Sequence, residues 1–514
     1  MPTNFTEKFA ASIVSVLGCH DRVIFKGYLP FGHDQHLNSW VDHALKMRRM
    51  DFLLFVEKQS QLLVDHAQAE ADKAGVPFQR LQGHVKKEKL VQDLLRETPR
   101  QEGLVTVLQV METCRTVKLL YGKGRPRLAF ARRPQRVLYY YFLDAEFGLM
   151  HVRVQTWFPF TIQVYVNGHD WLARQMRRHK LAFVQNDNAF THLDDPVAAQ
   201  RLAERFPKLS WVKILQRWAR LVNPLIDSSW LGKFDYYWVI DQAEFSTDVL
   251  FHSRAKLAEL YPRLLDHASL HFSAQDILTF LGRRLHGNFD GEVLTDCKKD
   301  RLPGARIKHR MKNNWLKMYD KFGQILRIET VINQPREFRV RRCRLRSGRR
   351  RMVWCPMNKG VSNFYHYHAV ARAANERYLN ALSVVDGACA TAKQLDRVSK
   401  PAKFHKRRRR GLNLLHPDEQ RFFRAILRGD WRLHGFRNCD LLQELHGAKP
   451  IAAAERRRRS LRVCRQLQLL RAHGLIAKIP RSNRYRVTDK GDALMWSAVY
   501  LRVDMFPKVL PAVA

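Results

Sequence analysis

Acidic side chains are scarce in this chain, with 48 Asp and Glu against 90 Lys and Arg, so the places where they gather beside other reactive groups stand out. In VIDQAEFSTDVLF, Asp241, Glu244 and Asp248 follow a run of aromatic, strand-forming residues. In KMYDKFGQILRIE, Lys317, Tyr319 and Lys321 fall at alternate positions. Side chains along a strand alternate between its two faces, so these three share a face, and across a tight turn Arg327 and Glu329 share a face of the next strand. Convergence of two or three of these carboxylates with Glu329, in the first place Asp241 and Asp248, would bind Mg²⁺ or Mn²⁺, hard cations that take oxygen ligands. It would also activate an attacking oxygen for phosphoryl transfer. Tyr319, Lys321 and Glu329 are then the expected catalytic group, as nucleophile, phosphate contact and carboxylate. The competing expectation is that these acids are structural ion pairs with the surrounding arginines.

The YDK…LRIE pattern of Tyr319 to Glu329 resembles the rolling-circle replication initiators of plasmids and filamentous phages. The resemblance covers this hairpin only. It implies a tyrosine that nicks one DNA strand through a covalent phosphotyrosine while carboxylates hold a divalent metal. Such nicking enzymes usually carry two histidines separated by one apolar residue. In LMHVRVQ, His151 is followed at that place by Arg153, so His151 reads as a strand histidine held in the core or a phosphate contact. The order Asp241, Asp248 (or Asp296), Glu329 is also the one a ribonuclease-H-like DDE transposase would offer. Asp21 and Arg22, in HDRVIFKGYLP, open a strand of the same sheet without a legible role. Trp157, Phe158, Phe160 and Tyr165, beside Arg153 and Gln155, would give unpaired bases stacking faces, or else fill the sheet core. Cys343, Cys355, His366 and His368 offer metal-binding atoms at a spacing that is not a zinc finger's. The chain has no phosphate-binding glycine loop and no Ser or Cys hydrolase motif, which argues against ATP dependence.

The elements that would position these residues are mixed. Aromatic and β-branched runs predict strands from Tyr139 to Gly168, closed by an Asn-Gly turn, and a strand pair or a strand entering a helix over Phe234 to Phe251. Helices are expected over His169 to Lys180, Ser273 to Leu285 with Ser273 and Asp276 as cap, and Tyr365 to Leu395. Residues 306–338 read as an antiparallel hairpin turning at Phe322 and Gly323. The N-terminus reads as a short helix running into a strand rather than a signal peptide. This gives an α+β protein with a mixed or antiparallel sheet core. The expected divisions are 1–135, an α/β region; 136–398, the core with the candidate site; 399–411, a basic linker; and 412–514, a DNA-binding domain.

That last domain carries the most specific pattern. Asp418 to Arg428 reads as an amphipathic helix with Phe422, Ile426 and Leu427 inward, and Asn438 caps a second. Residues 452–473 form a third, with Leu461, Cys464, Leu467 and Leu470 inward. Gly474 stops it, and a basic hairpin follows. LRAHGLIAKIP with RYRVTDKG resembles bacterial winged helix-turn-helix domains, and the resemblance implies that the third helix enters a DNA major groove. Arg456, Arg457, Arg458 and Arg459 open that helix, and Arg481, Arg484 and Arg486 lie on the hairpin. Arg407, Arg408, Arg409 and Arg410 form the linker's basic run. Residues 401–514 hold 26 basic and 9 acidic side chains, 26 − 9 = +17. The whole chain carries +42, an excess best explained by a polyanionic partner. The expected partner is DNA, double-stranded at the tail and single-stranded at the core, with RNA also compatible with the charge. A non-enzymatic winged-helix transcriptional regulator meets the same expectation. No apolar run approaches the roughly 20 residues of a membrane span, and eight dispersed cysteines without a CxxC pair fit a reducing compartment. Both point to a cytoplasmic, nucleoid-associated protein.

Overall fold

The computed structural model describes residues 4–502 except 31–35, 83–84, 123–124, 231–234, 271, 284–292, 299–304, 347–348, 384, 386–391, 405–406, 429–430, 432–434, 448–451 and 481. A short helix, Asn4–Lys8, leads into β1 (Ile13–Tyr28), as the N-terminal pattern predicts. The other strands of the main sheet are β2 (Phe78–Arg80), β3 (Gly103–Leu120), β4 (Arg127–Asp144), β5 (Gly148–Gln155) and β6 (Ile162–Asn167). After a separate small hairpin, β7 (Phe183–Asn186) and β8 (Ala189–Leu193), it continues with β9 (Tyr237–Phe251), β10 (Val293–Lys298), β11 (Arg306–Met311), β12 (Asn314–Lys321) and β13 (Ile325–Ile332). These make an 11-stranded sheet in the order β10-β11-β12-β13-β9-β1-β6-β5-β4-β3-β2. All its pairings are antiparallel except β2 with β3. With its packed helices the molecule is an α+β protein.

Strand β1 sits at the centre, between β9 and β6, so the N-terminal segment supplies the strand that joins the two halves. The expected boundary at residue 135 falls inside β4, which runs unbroken from Arg127 to Asp144. One apolar core extends from Phe5 to Val385. The β12–β13 hairpin turns where expected, through three residues between the paired Lys321 and Ile325, with Phe322 and Gly323 both at positive φ, 62° and 72°.

One face of β9 and β13 is covered by the helix Phe364–Leu382. Its Asn375 spans both strands, donating to the carbonyls of Phe245 (3.2 Å) and Ile328 (3.0 Å) and accepting from the Thr330 hydroxyl (2.6 Å). Alternation therefore sends Glu244, Asp248, Arg327 and Glu329 to the other face. The expected Asn-Gly turn is instead a helix start. The Asn167 side chain accepts from the His169 N–H at 2.8 Å and caps the helix Gly168–Arg178. Gly168 is needed there because a Cβ would lie 2.3 Å from the His20 carbonyl oxygen. The helix capped by Ser273 and Asp276 forms as predicted but ends at Phe280.

A second core, from Val398 to Val499, belongs to the C-terminal unit. Its helices Pro417–Ile426, Asn438–His446 and Ala453–Ala472 are followed by the hairpin Ile476–Lys478 and Tyr485–Val487 and a last helix, Asp489–Tyr500. Phe422, Ile426 and Leu427 are buried as expected. The third helix buries Leu467 and Leu470 as expected, but Val463 turns inward while Leu461 and Cys464 are exposed. The second helix begins one residue early, with Arg437 and Asp440 at its cap in place of Asn438, whose amide binds the Ser460 carbonyl. The basic linker is folded rather than free. Ala402–Phe404 pairs with Arg407–Arg409, and Arg410 reaches buried Glu419 at 2.5 Å. No described helix is long and apolar enough to cross a membrane.

Candidate functional site

The carboxylates gather through a break in the strand ladder. Between the pairs His20↔Phe245 and Val23↔Ala243, β1 holds two residues, Asp21 and Arg22, against one on β9, Glu244. Such a β-bulge re-aims side chains, and here it brings Asp21 and Arg22 beside Glu244. Glu329 comes from β13, whose partner on β9 is Ser246. Carboxylate oxygens of Asp21, Glu244 and Glu329 all lie within 4.8 Å of one another, and all three residues are buried.

Each acid is partly answered by the chain. Glu329 accepts from the Lys317 ammonium on one oxygen and from the Tyr319 hydroxyl on the other, the latter at 2.8 Å. Asp21 accepts from the Asn188 amide (2.7 Å) and faces His169 Nδ1 at 3.5 Å and Arg327 at 3.6 Å. Glu244 meets the Gln242 amide (2.8 Å) and Arg22 (3.4 Å). The β7–β8 tip lies over this face, with Asn188 on Asp21 and Asp187 on Lys321 at 3.0 Å.

Four neighbouring carboxylates, Asp21, Glu244, Asp248 and Glu329, face three basic side chains, Arg22, Lys317 and Arg327. The excess falls on Glu244, whose carboxyl is pushed up to about 7 by burial and then by the charge of Glu329. Burial alone would also raise Asp21, but His169, Arg327 and Asn188 outweigh it and hold it well below the carboxylate range. Burial and the Glu329 charge push the Tyr319 phenol well above its ordinary value. Burial, then the Arg327 charge, draws the Lys321 ammonium down.

The expected metal set is therefore redistributed. Glu329 is in the cluster, whereas Asp248 is bound by Arg327 through two bonds, 2.6 and 2.7 Å, directly across the ladder. Asp241 occupies a second bulge, between the pairs Ile24↔Gln242 and Phe25↔Ile240, and meets Lys26 and Lys359 instead. Asp296 lies on β10, four strands from β9, and is exposed, so the carboxylates of the transposase reading are not together. Asp21 is the residue sequence reasoning missed, because a bulge across β1 and β9 is a long-range property. Glu244, one of the three acids grouped in the sequence, shares a face with Asp248, four residues on, whereas Asp241 is seven away from Asp248.

All the donors in the cluster are carboxylate oxygens, the kind Mg²⁺ and Mn²⁺ take. Each such oxygen has two lone pairs, so the bonds from Lys317, Tyr319 and Asn188 leave acceptor capacity.

The remaining expected residues separate. His151 is enclosed by Tyr139, Tyr141 and Tyr165, stacked on the last at 4.9 Å, and burial holds its imidazole down at about 3. Phe158, Phe160 and Gln155 are core residues, and Arg153 is bound to Glu112 at 2.8 Å. Cys343 is exposed and Cys355 buried, and His368 faces His20 at 3.3 Å, so they do not form a metal group.

In the C-terminal unit Arg456, Arg457 and Arg458 are exposed at the start of the third helix. Arg458 and Arg459 both reach Glu455 at 2.7 Å. Glu455, in the first turn, offsets positive charge at an end where the helix dipole opposes it. Arg486 is exposed, Arg484 donates to the Gly435 carbonyl at 3.1 Å, and Arg481 lies outside the described residues. Arg408 is exposed, Arg409 binds Gln468 at 2.7 Å, and the side chain of Arg407 lies outside the description. Comparison with protein families, curated proteins and solved structures finds no match to this chain.

Proposed function

We propose that this is a DNA-binding protein of the mobile-element or plasmid replication type that cuts one DNA strand at the Asp21–Glu244–Glu329 cluster. The observation that carries the reading is the buried meeting of three carboxylates from three strands within 4.8 Å, beside a tyrosine hydrogen-bonded to one of them. In this reading Glu329 takes the phenolic proton of Tyr319 as its oxygen attacks phosphorus. The bond from phosphorus to the sugar oxygen breaks, and the Lys317 ammonium, on the other Glu329 oxygen, returns a proton to the leaving oxygen. A divalent cation bound by the three carboxylates would supply Lewis-acid withdrawal of charge from the phosphate. Lys317, not Lys321, is thus the catalytic lysine of this reading, as proton donor rather than the phosphate contact expected of Lys321, which meets Asp187. The C-terminal unit, read as a winged helix, holds duplex DNA through Arg456 to Arg459 and Arg486.

The rival is a DNA-binding regulator in which the cluster is structural, favoured by the ion pairs that every acid in it already makes. Incubation with supercoiled plasmid and Mg²⁺ or Mn²⁺ separates the two. A nicking enzyme yields open circle with protein attached to one DNA end. Tyr319→Phe then abolishes attachment and leaves binding intact, and Glu244→Gln lowers the metal-supported rate. Intact plasmid under full binding establishes the regulator, and nicking by Tyr319→Phe at the parental rate removes the tyrosine mechanism.

A further inference from the structure

Beyond β13 the chain forms a two-stranded antiparallel ribbon outside the main sheet, β14 (Arg339–Arg346) and β15 (Arg349–Pro356). At strand rise, eight residues make an arm about 27 Å long. Its sequence, RVRRCRLRSGRRRMVWCP, has eight arginines and no acid. Among the described residues its root is anchored, through buried Val340 and Cys355 and the Met357 N–H on the Phe338 carbonyl at 2.8 Å, and the next pair, Arg342 and Val353, is half-buried.

The pairing register assigns each residue to a face. Cys343, Leu345, Met352 and Trp354 share one face with Arg341 and Arg350, and Arg342, Arg344, Arg349 and Arg351 share the other. Leu345, Met352 and Trp354 are 71%, 55% and 62% exposed. On the second face Arg344 stands directly opposite Arg351. Like charges so opposed destabilise a ribbon. Among the described residues no carboxylate pairs with Arg341, Arg342, Arg344, Arg349, Arg350 or Arg351. The arm thus has an uncompensated charge and an uncovered apolar strip that nothing else in the described chain satisfies.

We propose that this ribbon is a DNA-binding arm that lies in the major groove of a B-form duplex, separate from the C-terminal unit. The groove, about 12 Å wide, admits a two-stranded ribbon, whereas the deep, narrow major groove of A-form RNA does not. Arg341 and Arg350, among Leu345, Met352 and Trp354, give one face the guanidinium donors and apolar contacts that read guanine edges and thymine methyls. Arg344, Arg349 and Arg351 on the other face reach the phosphates at the groove walls. A membrane surface fits less well, because Arg341 and Arg350 stand within the apolar strip and would have to be buried with it.

The inference does not depend on strand cleavage, and its test keeps it apart from the C-terminal reading. In the full chain, Arg344→Gln/Arg349→Gln/Arg351→Gln is expected to bind a labelled 30-base-pair duplex at least tenfold more weakly. Its slope of log affinity against log salt is expected to be shallower by about 2 to 3, three phosphate contacts at about 0.9 each. As a second measurement that leaves the ribbon's own arginines intact, a duplex carrying a disulfide tether on a major-groove base should capture exposed Cys343. Capture should be lost in Cys343→Ser and retained when Arg456 to Arg459 are all replaced by Gln. An unchanged salt slope, an absent Cys343 adduct, or weakened binding confined to RNA or anionic vesicles overturns the proposal.

Discussion

The Arg327–Asp248 pair shows what the buried charges cost and what they hold. Arg327 is fully buried, donates twice to Asp248, and spans to the Asn188 carbonyl at 2.6 Å. Removing one partner of such a pair strands the other charge in a poorly solvated site, at a cost of about 3–5 kcal/mol, whereas replacing both with apolar residues is often nearly neutral. Arg327→Met should therefore destabilise by that amount in denaturant unfolding, and Arg327→Met/Asp248→Leu should regain most of it. A single variant within about 1 kcal/mol of the parent would mean that the pair is not the buried anchor described. Glu244 gives a pH signature of opposite origin. Its folded value of about 7 lies above the unfolded 4.5, so the folded state keeps a proton that the unfolded chain releases. That contribution is fully present below about 4.5 and is lost as pH rises through 7. With a chelator present, the fall in melting temperature between pH 5 and 7.5 should be shallower in Glu244→Gln than in the parent. Mn²⁺ should restore stability to the parent at pH 7.5 more than at pH 5.5, because ligands must be deprotonated to bind. Superimposable pH curves for the two proteins would refute the assignment of the proton to Glu244.

At the scale of elements, the legible parts of the fold are those whose cause is local. Tyr319, Lys317 and Glu329 meet because they lie on a hairpin closed by a short turn between Lys321 and Ile325, so period-two alternation and turn chemistry suffice to place them. The capping box of Ser273 and Asp276 is equally local. Asp21 is not legible in this way. Its approach to Glu244 needs strands more than 200 residues apart to pair in one register, and the bulge is visible only in that pairing. In the third C-terminal helix Leu467 and Leu470 follow from the periodicity, but the choice of Val463 over Leu461 and Cys464 does not, because both sets make helical stripes with them and only the neighbouring elements decide. One element-level consequence can be measured. The helix Gly168–Arg178 starts so close to β1 that any Cβ at Gly168 meets the His20 carbonyl, backbone that has no rotamer to yield. Gly168→Ala should cost about 1–3 kcal/mol through strain and, by shifting His169 away from Asp21, lower the affinity for Mn²⁺ measured by calorimetry. Full stability of Gly168→Ala would show that the helix start slides without consequence.

For the whole molecule the governing quantity is the formal charge of +42. Free of a polyanion, so large an excess repels itself in the compact state, and added salt screens that repulsion over about 10 Å at 0.1 M. The same salt weakens a protein–DNA complex, because binding is driven by release of counterions from neutralised phosphates. These two effects have opposite signs and should be separable in one experiment. The melting temperature of the free protein should rise as NaCl goes from about 50 to 300 mM, while the extra stabilisation conferred by saturating duplex DNA should shrink over the same range. Ion pairs within the chain act against the first effect, since screening also weakens surface pairs such as Arg48–Asp51 and Arg462–Asp418. Each exposed pair is worth little, though, with a typical value of about 0–1 kcal/mol, and 90 bases to 48 acids leave a net excess of +42 that pairing within the chain cannot cancel, so net repulsion should prevail. A free-protein melting temperature that falls steadily with salt would show that internal pairing, not a missing polyanion, balances the charge. That would remove the physical basis for reading the basic surface as a nucleic-acid interface.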